Sequence, residues 1–325
     1  MKGMSRVLDY SMLDVFAERP LEGNALAVFH DGGSLSDQQM QDIAREMRLS
    51  ETTFILPDDP ETEARDGVRV RIFTTEEELP FAGHPTLGTA AWLRLHHPRL
   101  RLVGTETVTL RLRVGPVPVR FAPEEDGALG LHATMLQNDP VFGATHDRAE
   151  VANLIGLSAE DLSSGFAPQT VSTGMPFCIV LLRSLGALQR MQLAHRQAEA
   201  WLAGRETHFF YCIAPVEAAA PETAAGVRPN LTPGKSSDGH PRWRARMQFY
   251  SGEDPATGSA AGCCIAWLVK HGLARPEQTV EIEQGAEIRR PSRIVVRAAK
   301  QGDRVHSVEV SGRTIPVAEG RLFLP

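Results

Sequence analysis

Hydrophobic residues along this chain fall mostly at alternate positions, in short runs separated by turns rich in Gly, Pro and Asn. In the first half the runs at 8–16, 25–29, 50–56 and 68–74 read as strands, followed by 101–103, 106–114 and 118–121. Period-two alternation places every second side chain on one face, which is the strand signature. The second half has runs of the same kind at 177–182, 208–214, 243–251, 280–284, 294–298, 307–311 and 321–324. Helical spacing interrupts the strands. Ser36-Asp37-Gln38-Gln39 has the form of a capping box, and Met40, Ile43, Ala44 and Met47 recur on one helical face. Helices are also expected at 85–97, 147–154, briefly after Ser158, at 189–203 and at 254–270. Residues 58–67 read as a polar hairpin connection, 127–143 as a crossover between domains, and 215–241, rich in Ala, Pro, Gly and Ser, as a mobile loop.

The run Ala260-Ala261-Gly262-Cys263-Cys264-Ile265-Ala266-Trp267 is apolar on nearly every helical face. Such a helix has to be buried on all sides. The expected class is therefore α+β, with two pseudo-symmetric domains, each a curved, mostly antiparallel sheet wrapped around a central buried helix. The domains would be 1–128, completed by the last strand at about 315–325, and 129–314.

A near-repeat supports duplication. Gly83-His84-Pro85-Thr86-Leu87-Gly88-Thr89-Ala90-Ala91 is echoed by Asp254-Pro255-Ala256-Thr257-Gly258-Ser259-Ala260-Ala261, and an offset of 170 residues pairs His84 with Asp254. Pro suits the first helical position, where its missing N–H costs nothing, so His84 and Asp254 would be N-caps. The unpaired N–H groups of a first turn favour an anion, and small residues let one approach. Two such helix starts facing one cleft would bind a carboxylate. Glu51 opens a strand, and aligning Phe54 with Phe177 makes Gly174 its second-half counterpart. The site would then carry a carboxylate on one side only.

Composition narrows the classes. The chain has 325 residues, 42% of them hydrophobic, and a formal net charge of −6. That supports a sizeable core and gives no nucleic-acid footprint. Arg242, Arg244 and Arg246 alternate as one solvated strand face would, and Glu76-Glu77-Glu78 reads as a solvated charge run. Asp9 and Asp14 interrupt the N-terminal stretch, and no run approaches the roughly 20 apolar residues that span a bilayer. A cytoplasmic protein without membrane partners is the expectation. Four cysteines without CxxC spacing read as reduced structural thiols. No Gly-x-Gly-x-x-Gly follows a strand, Gly234-Lys235-Ser236 lacks the earlier glycine of a P-loop, and the 11 histidines show no metal-ligand spacing. No metal or organic cofactor is expected.

Four segments in order resemble the phenazine-biosynthesis PhzF-like family, which shares the two-domain fold of diaminopimelate epimerase. They are Asp14-Val15-Phe16 through Gly23-Asn24-Ala25-Leu26-Ala27-Val28, Ser50-Glu51-Thr52-Thr53-Phe54, Glu78-Leu79-Pro80-Phe81-Ala82-Gly83-His84-Pro85-Thr86, and Glu253-Asp254-Pro255-Ala256-Thr257-Gly258-Ser259-Ala260. One departure is Ile288-Arg289-Arg290-Pro291-Ser292, where the family often has Met-Gly-Arg-Pro-Ser. The resemblance implies a cofactor-independent isomerase of a small anionic metabolite, acting as a homodimer. The family's type activity isomerises trans-2,3-dihydro-3-hydroxyanthranilate by moving a hydrogen within the substrate. Glu51 falls on the acid/base residue, His84 and Asp254 on polar residues lining the site, and Gly83, Gly258 and Ser259 where substrate is held. Related epimerases of this fold use two opposed cysteines, and neither helix start here carries one. A single carboxylate, its pKa raised by an apolar cleft, would lift a proton and return it to another carbon. Two alternatives stay open: a racemase or epimerase with His84 and Asp254 as opposed bases, and a small-molecule binding protein without catalysis.

Overall fold

The computed structural model of the chain describes residues 6–98, 100, 106–123, 129–216, 233–249 and 252–324. They form a mixed α+β, sheet-rich fold whose chain divides into two compact units, Met1–Leu136 with Ser311–Pro325, and Gln137–Val310.

In the first unit the elements are β1 (Arg6–Val15), β2 (Asn24–Phe29), α1 (Asp37–Met47), β3 (Glu51–Leu56), α2 (Pro60–Asp66), β4 (Val68–Phe73), β5 (Glu78–Leu79), α3 (Gly83–His96), β6 (Thr107–Leu112), β7 (Gly115–Phe121) and β8 (Leu131–Leu136). The distal part of the last strand, β18 (Arg304–Leu324), completes it. The strands run β1-β2-β3-β4-β6-β7-β8-β18, and β18 returns to β1 with Arg6 opposite Leu324 and Val15 opposite Thr314. Eight strands thus close into a barrel, which removes the free edges of an open sheet. The antiparallel β1–β18 pair carries a register shift between Met12 and Leu13.

Helix α3 packs against β1, β2, β3, β6, β7 and β8, and every residue from Gly83 to Ala91 is buried. Its small residues set how close the strands come. A Cβ on Gly88 would lie 2.5 Å from Leu26 Cδ2 and 2.9 Å from Val15 Cγ2. Alternation along β3 serves two layers. Thr53 meets Thr89 of α3 at 2.9 Å between hydroxyls, whereas Phe54 joins Phe29, Phe73 and the Met40–Ile43–Ala44 face of α1. The capping box of α1 forms, with Gln39 N donating to Ser36 Oγ and Ser36 N donating to Gln39 Oε1.

The second unit holds β9 (Val141–Thr145), α4 (Arg148–Leu154), β10 (Gln169–Ser172), β11 (Pro176–Leu181), α5 (Leu185–Arg190), α6 (His195–Leu202), β12 (Phe209–Pro215), β13 (Arg242–Arg246), β14 (Gln248–Phe249), β15 (Gly252–Glu253), α7 (Gly258–Lys270), β16 (Val280–Gln284) and β17 (Ser292–Gln301). Its sheet runs β18-β17-β16-β13-β12-β11-β10-β9. Helix α7 packs on β10, β11 and β17 and is buried continuously from Gly258 to Val269.

The two units share a pairing order. In the first, β2 is parallel to β3, β3 antiparallel to β4, and β4 parallel to β6. In the second, β11 is parallel to β12, β12 antiparallel to β13, and β13 parallel to β16. By this order β3 corresponds to β12. Leu26 pairs with Glu51 and Phe177 with Phe209, so Glu51 answers to the region of Phe209 rather than to Gly174. A one-segment alignment on Phe54 and Phe177 matched strands of different topological rank.

Several local expectations are corrected. Residues 60–66 form α2 instead of a hairpin connection, with Pro60 at its start and the Asp59 carboxylate accepting from Glu61 N and Thr62 N. The expected helix at 189–203 is two helices, α5 and α6. Arg246 takes the carbonyls of Leu188, Gln189 and Met191, which ends α5. The stretch expected as a crossover contains β8 and the start of β9. The expected strand at 101–103 and residues 217–232 of the expected mobile loop lie outside the described residues. Among the described residues no helix is long and apolar enough to cross a membrane.

Candidate active site

Glu51 is the first residue of β3, and its side chain is 15% exposed. Its Oε2 lies 3.5 Å from Nε2 of His84, which is 3% exposed. His84 is the second residue of α3, because the helix begins at Gly83 with Ala82 as its N-cap. The expectation of His84 as N-cap is therefore corrected. Pro85 sits third, still within the turn whose N–H groups have no intrahelical acceptor, so its ring is tolerated there for the same reason. The first intrahelical bond is Thr86 N to Ala82 O at 3.3 Å. On the other side of the ring, Asn24 Nδ2 is 3.2 Å from His84 Nδ1. Burial pushes the imidazole down to about 3, so the ring is neutral at physiological pH.

In the second unit α7 starts at Gly258 with Thr257 as its N-cap. Asp254 thus precedes the helix by a non-helical Pro255-Ala256-Thr257 segment and is not its cap. The offset of 170 residues that pairs the motifs does not pair the helix starts. Gln284, fully buried at the end of β16, holds this segment. Its Nε2 donates to Asp254 O at 2.8 Å and Thr257 Oγ1 at 2.9 Å. Its Oε1 accepts from Thr257 N at 3.1 Å and Tyr211 OH at 3.2 Å. Both amide protons and both lone pairs are used. The Thr257 hydroxyl in turn donates to Asp254 Oδ2 at 2.6 Å. Ser292 Oγ donates to Pro255 O at 2.6 Å, and a Cβ on Gly285 would sit 2.6 Å from that same oxygen, at a φ of +77°. Ser259 is buried in the first turn of α7, and Gly258 O accepts from Gln137 Nε2 at 3.0 Å.

Next to Asp254, Glu253 is engaged by Arg246. Two bonds at 2.6 and 2.9 Å join them, with the side chains 6% and 7% exposed. Arg246 is thus a buried residue, and Arg242 and Arg244 pair with Glu281, Glu283 and Glu287, so this face is an ion-pair network and not a solvated stripe. Glu78 likewise forms a bidentate pair with Arg71 at 2.7 and 2.8 Å. A cavity of about 590 Å³ lined by Arg69, Arg71, Glu78, Arg111 and Arg113 belongs to that network and includes none of the expected site residues.

All four cysteines are buried and free. Burial raises Cys212 and Cys263 to about 12 and pushes Cys178 and Cys264 up as well, so none is a thiolate at neutral pH. Among the described residues, no three His, Cys, Asp or Glu side chains are grouped to hold a metal ion.

The structure therefore gathers Glu51, Gly83 and His84 in the first unit, and Asp254, Gly258 and Ser259 in the second. Two contributors were missed. Asn24 had a signal, a polar residue opening an apolar strand after Gly23. Gln284 had none, since Val-Glu-Ile-Glu-Gln reads as a strand with an exposed end.

The mixed α+β, sheet-rich fold resembles those of racemase- and epimerase-type proteins. The structure is similar in fold to a hydroxyproline epimerase from Agrobacterium vitis, at TM-score 0.59 and 11% identity over 98% of this chain and 91% of that one. It is also similar to the structure of a predicted epimerase from Pseudomonas aeruginosa, at TM-score 0.76 and 37% identity over 97% and 99% of the two chains. Residues 13–320 match the family described as phenazine biosynthesis-like protein, and the chain belongs to that family. Among curated proteins it is 37% identical, over 97% of this chain and 99% of the relative, to trans-2,3-dihydro-3-hydroxyanthranilate isomerase of Pseudomonas aeruginosa.

Proposed function

We propose that this protein is a cofactor-independent isomerase of a small carboxylate-bearing metabolite resembling trans-2,3-dihydro-3-hydroxyanthranilate, with Glu51 as its single proton-shuttling base. The observation that carries the reading is the placement of the Glu51 carboxylate 3.5 Å from a buried, neutral His84. In the first step a substrate C–H bond breaks, its proton forms an O–H bond on Glu51, and the electron pair delocalises into the substrate. In the second step that O–H bond breaks and a C–H bond forms at another carbon. No oxidant, reductant or external base is consumed. The His84 ring supplies an N–H dipole without a competing charge. A two-thiol mechanism is unsupported, because the buried thiols stay protonated. The rival with His84 as one of two opposed bases gains nothing either, because Asn24 occupies Nδ1 and Nε2 faces Glu51.

Asp254, Gly258, Ser259 and Gly83 keep the substrate-binding roles that the family resemblance implies, supported by their burial at or before the helix starts. The fold reading retains two pseudo-symmetric domains with boundaries near 128 and 314, the last strand completing the first, each sheet wrapped on its buried helix. The shared strand-pairing order supports it. A cytoplasmic homodimer is proposed on the family resemblance alone.

The test is Glu51→Gln assayed on trans-2,3-dihydro-3-hydroxyanthranilate. Turnover is expected to fall by ~10²–10⁴-fold, the usual value of general acid–base catalysis, while a carboxylate ligand still binds. Near-normal turnover by the variant would refute the role. Wild-type protein inert toward this substrate would refute the substrate class.

A further inference from the structure

We infer that Asn24 is a positioning residue that sets the tautomer of His84, keeping the ring proton on Nε2, the nitrogen nearer the Glu51 carboxylate. This rests on the reading of Glu51 as the base. A neutral imidazole has one N–H and one lone pair. Asn24 Nδ2, an amide donor, lies 3.2 Å from Nδ1, so Nδ1 is the accepting nitrogen and the proton is on Nε2. The second contact agrees. Nε2 lies 3.5 Å from Glu51 Oε2, where an N–H meets a carboxylate favourably and a second lone pair would be repelled.

The chain fixes Asn24 firmly enough for this task. It opens β2, is 2% exposed and pairs with Val15 across the β1–β2 hairpin. The turn before it is pinned by Leu21 N donating to Asp14 Oδ2 at 2.6 Å. Gly23 holds a φ of +66°, and a Cβ there would lie 2.3 Å from Val15 O. The Asn24 amide therefore has little freedom to turn away from the ring.

Two consequences follow. His84 cannot take a proton from Glu51 without releasing its bond to Asn24, so a proton lifted from substrate stays on Glu51 until it is returned. His84 also stays uncharged through catalysis, which leaves Glu51 a competent base instead of half of an ion pair.

The experiment combines 15N NMR of the histidine side chains with kinetics of Asn24→Asp and Asn24→Leu. Wild-type His84 is expected to show a protonated Nε2 and a bare Nδ1, unchanged between about pH 5 and 8. Aspartate, isosteric but accepting, should pull the proton to Nδ1 and favour imidazolium. Then kcat should fall roughly 10- to 100-fold with KM little changed, and the remaining activity should rise with pH as the ring loses its charge. Leucine should lower kcat without adding that pH limb, and circular dichroism checks that both variants fold. Wild-type His84 protonated at Nδ1, or kcat unchanged in Asn24→Asp, overturns the proposal. The NMR readout needs no turnover, so a failure of the Glu51 assignment would show in the Glu51→Gln kinetics while the tautomer result stands separately.

Discussion

Replacing Gln284 by leucine tests how the Asp254–Thr257 segment is held. The side chain is fully buried and makes four hydrogen bonds, to Asp254 O, Thr257 Oγ1, Thr257 N and Tyr211 OH. Leucine is close in size but can neither donate nor accept. Two buried donors, the Thr257 amide and the Tyr211 hydroxyl, lose their acceptor. The tyrosine cannot escape by ionising, because burial pushes its pKa well above the usual phenol value. Each orphaned buried donor costs about 1–3 kcal/mol, so the expected loss is roughly 2–6 kcal/mol. Urea unfolding followed by tryptophan fluorescence suits the site, since Trp243 and Trp267 are both buried in the same unit. The midpoint should fall with little change in slope. Activity should fall too, because the segment carrying Asp254 loses three of its hydrogen bonds. A shift worth less than about 1 kcal/mol would show that the four hydrogen bonds of Gln284 contribute little to stability.

Two further outcomes follow from burial. Arg246→Met keeps the aliphatic stem but leaves Glu253 as an uncompensated buried charge, and should cost about 3–5 kcal/mol by the same unfolding assay. Adding Glu253→Met should recover much of that loss, and failure to recover any would show that the carbonyl contacts of Arg246 matter more than the charge pair. An aromatic disulfide reagent should find no reactive thiol in the native protein and four after denaturation, since every cysteine is buried. Rapid native labelling would contradict the burial that removes the thiols from the chemistry.

The chemistry-bearing motifs were legible because they are local. Ser50-Glu51-Thr52, Gly83-His84-Pro85 and Asp254-Pro255-Ala256-Thr257-Gly258-Ser259 declare a carboxylate, an imidazole and two small-residue helix starts within a few residues each. The all-apolar run at 260–269 also declared its own burial, since no face of that helix can accept water. Position within the fold was less legible. The motif offset placed His84 and Asp254 as equivalent caps, yet one lies inside its helix and the other four residues before its own helix begins at Gly258. What separates them is Gln284, which reaches from β16 to hold the non-helical segment 254–257. The alternating arginines misled for a similar reason. Period two says which side chains share a face, and only the neighbouring strand decides whether that face meets water or Glu281 and Glu283.

By itself, then, the sequence determined the strand-rich α+β character, the buried helices, and the identity of the groups that could do chemistry, because propensity, periodicity and residue type are local properties. The tertiary structure decided the closing of β1 onto β18, the rank of β3 among the strands, the neutral state of His84 and the contact between His84 and Glu51. Those depend on residues tens to hundreds of positions apart. Burial and hydrogen-bond partners are set by what packs against a residue, and no local pattern encodes that.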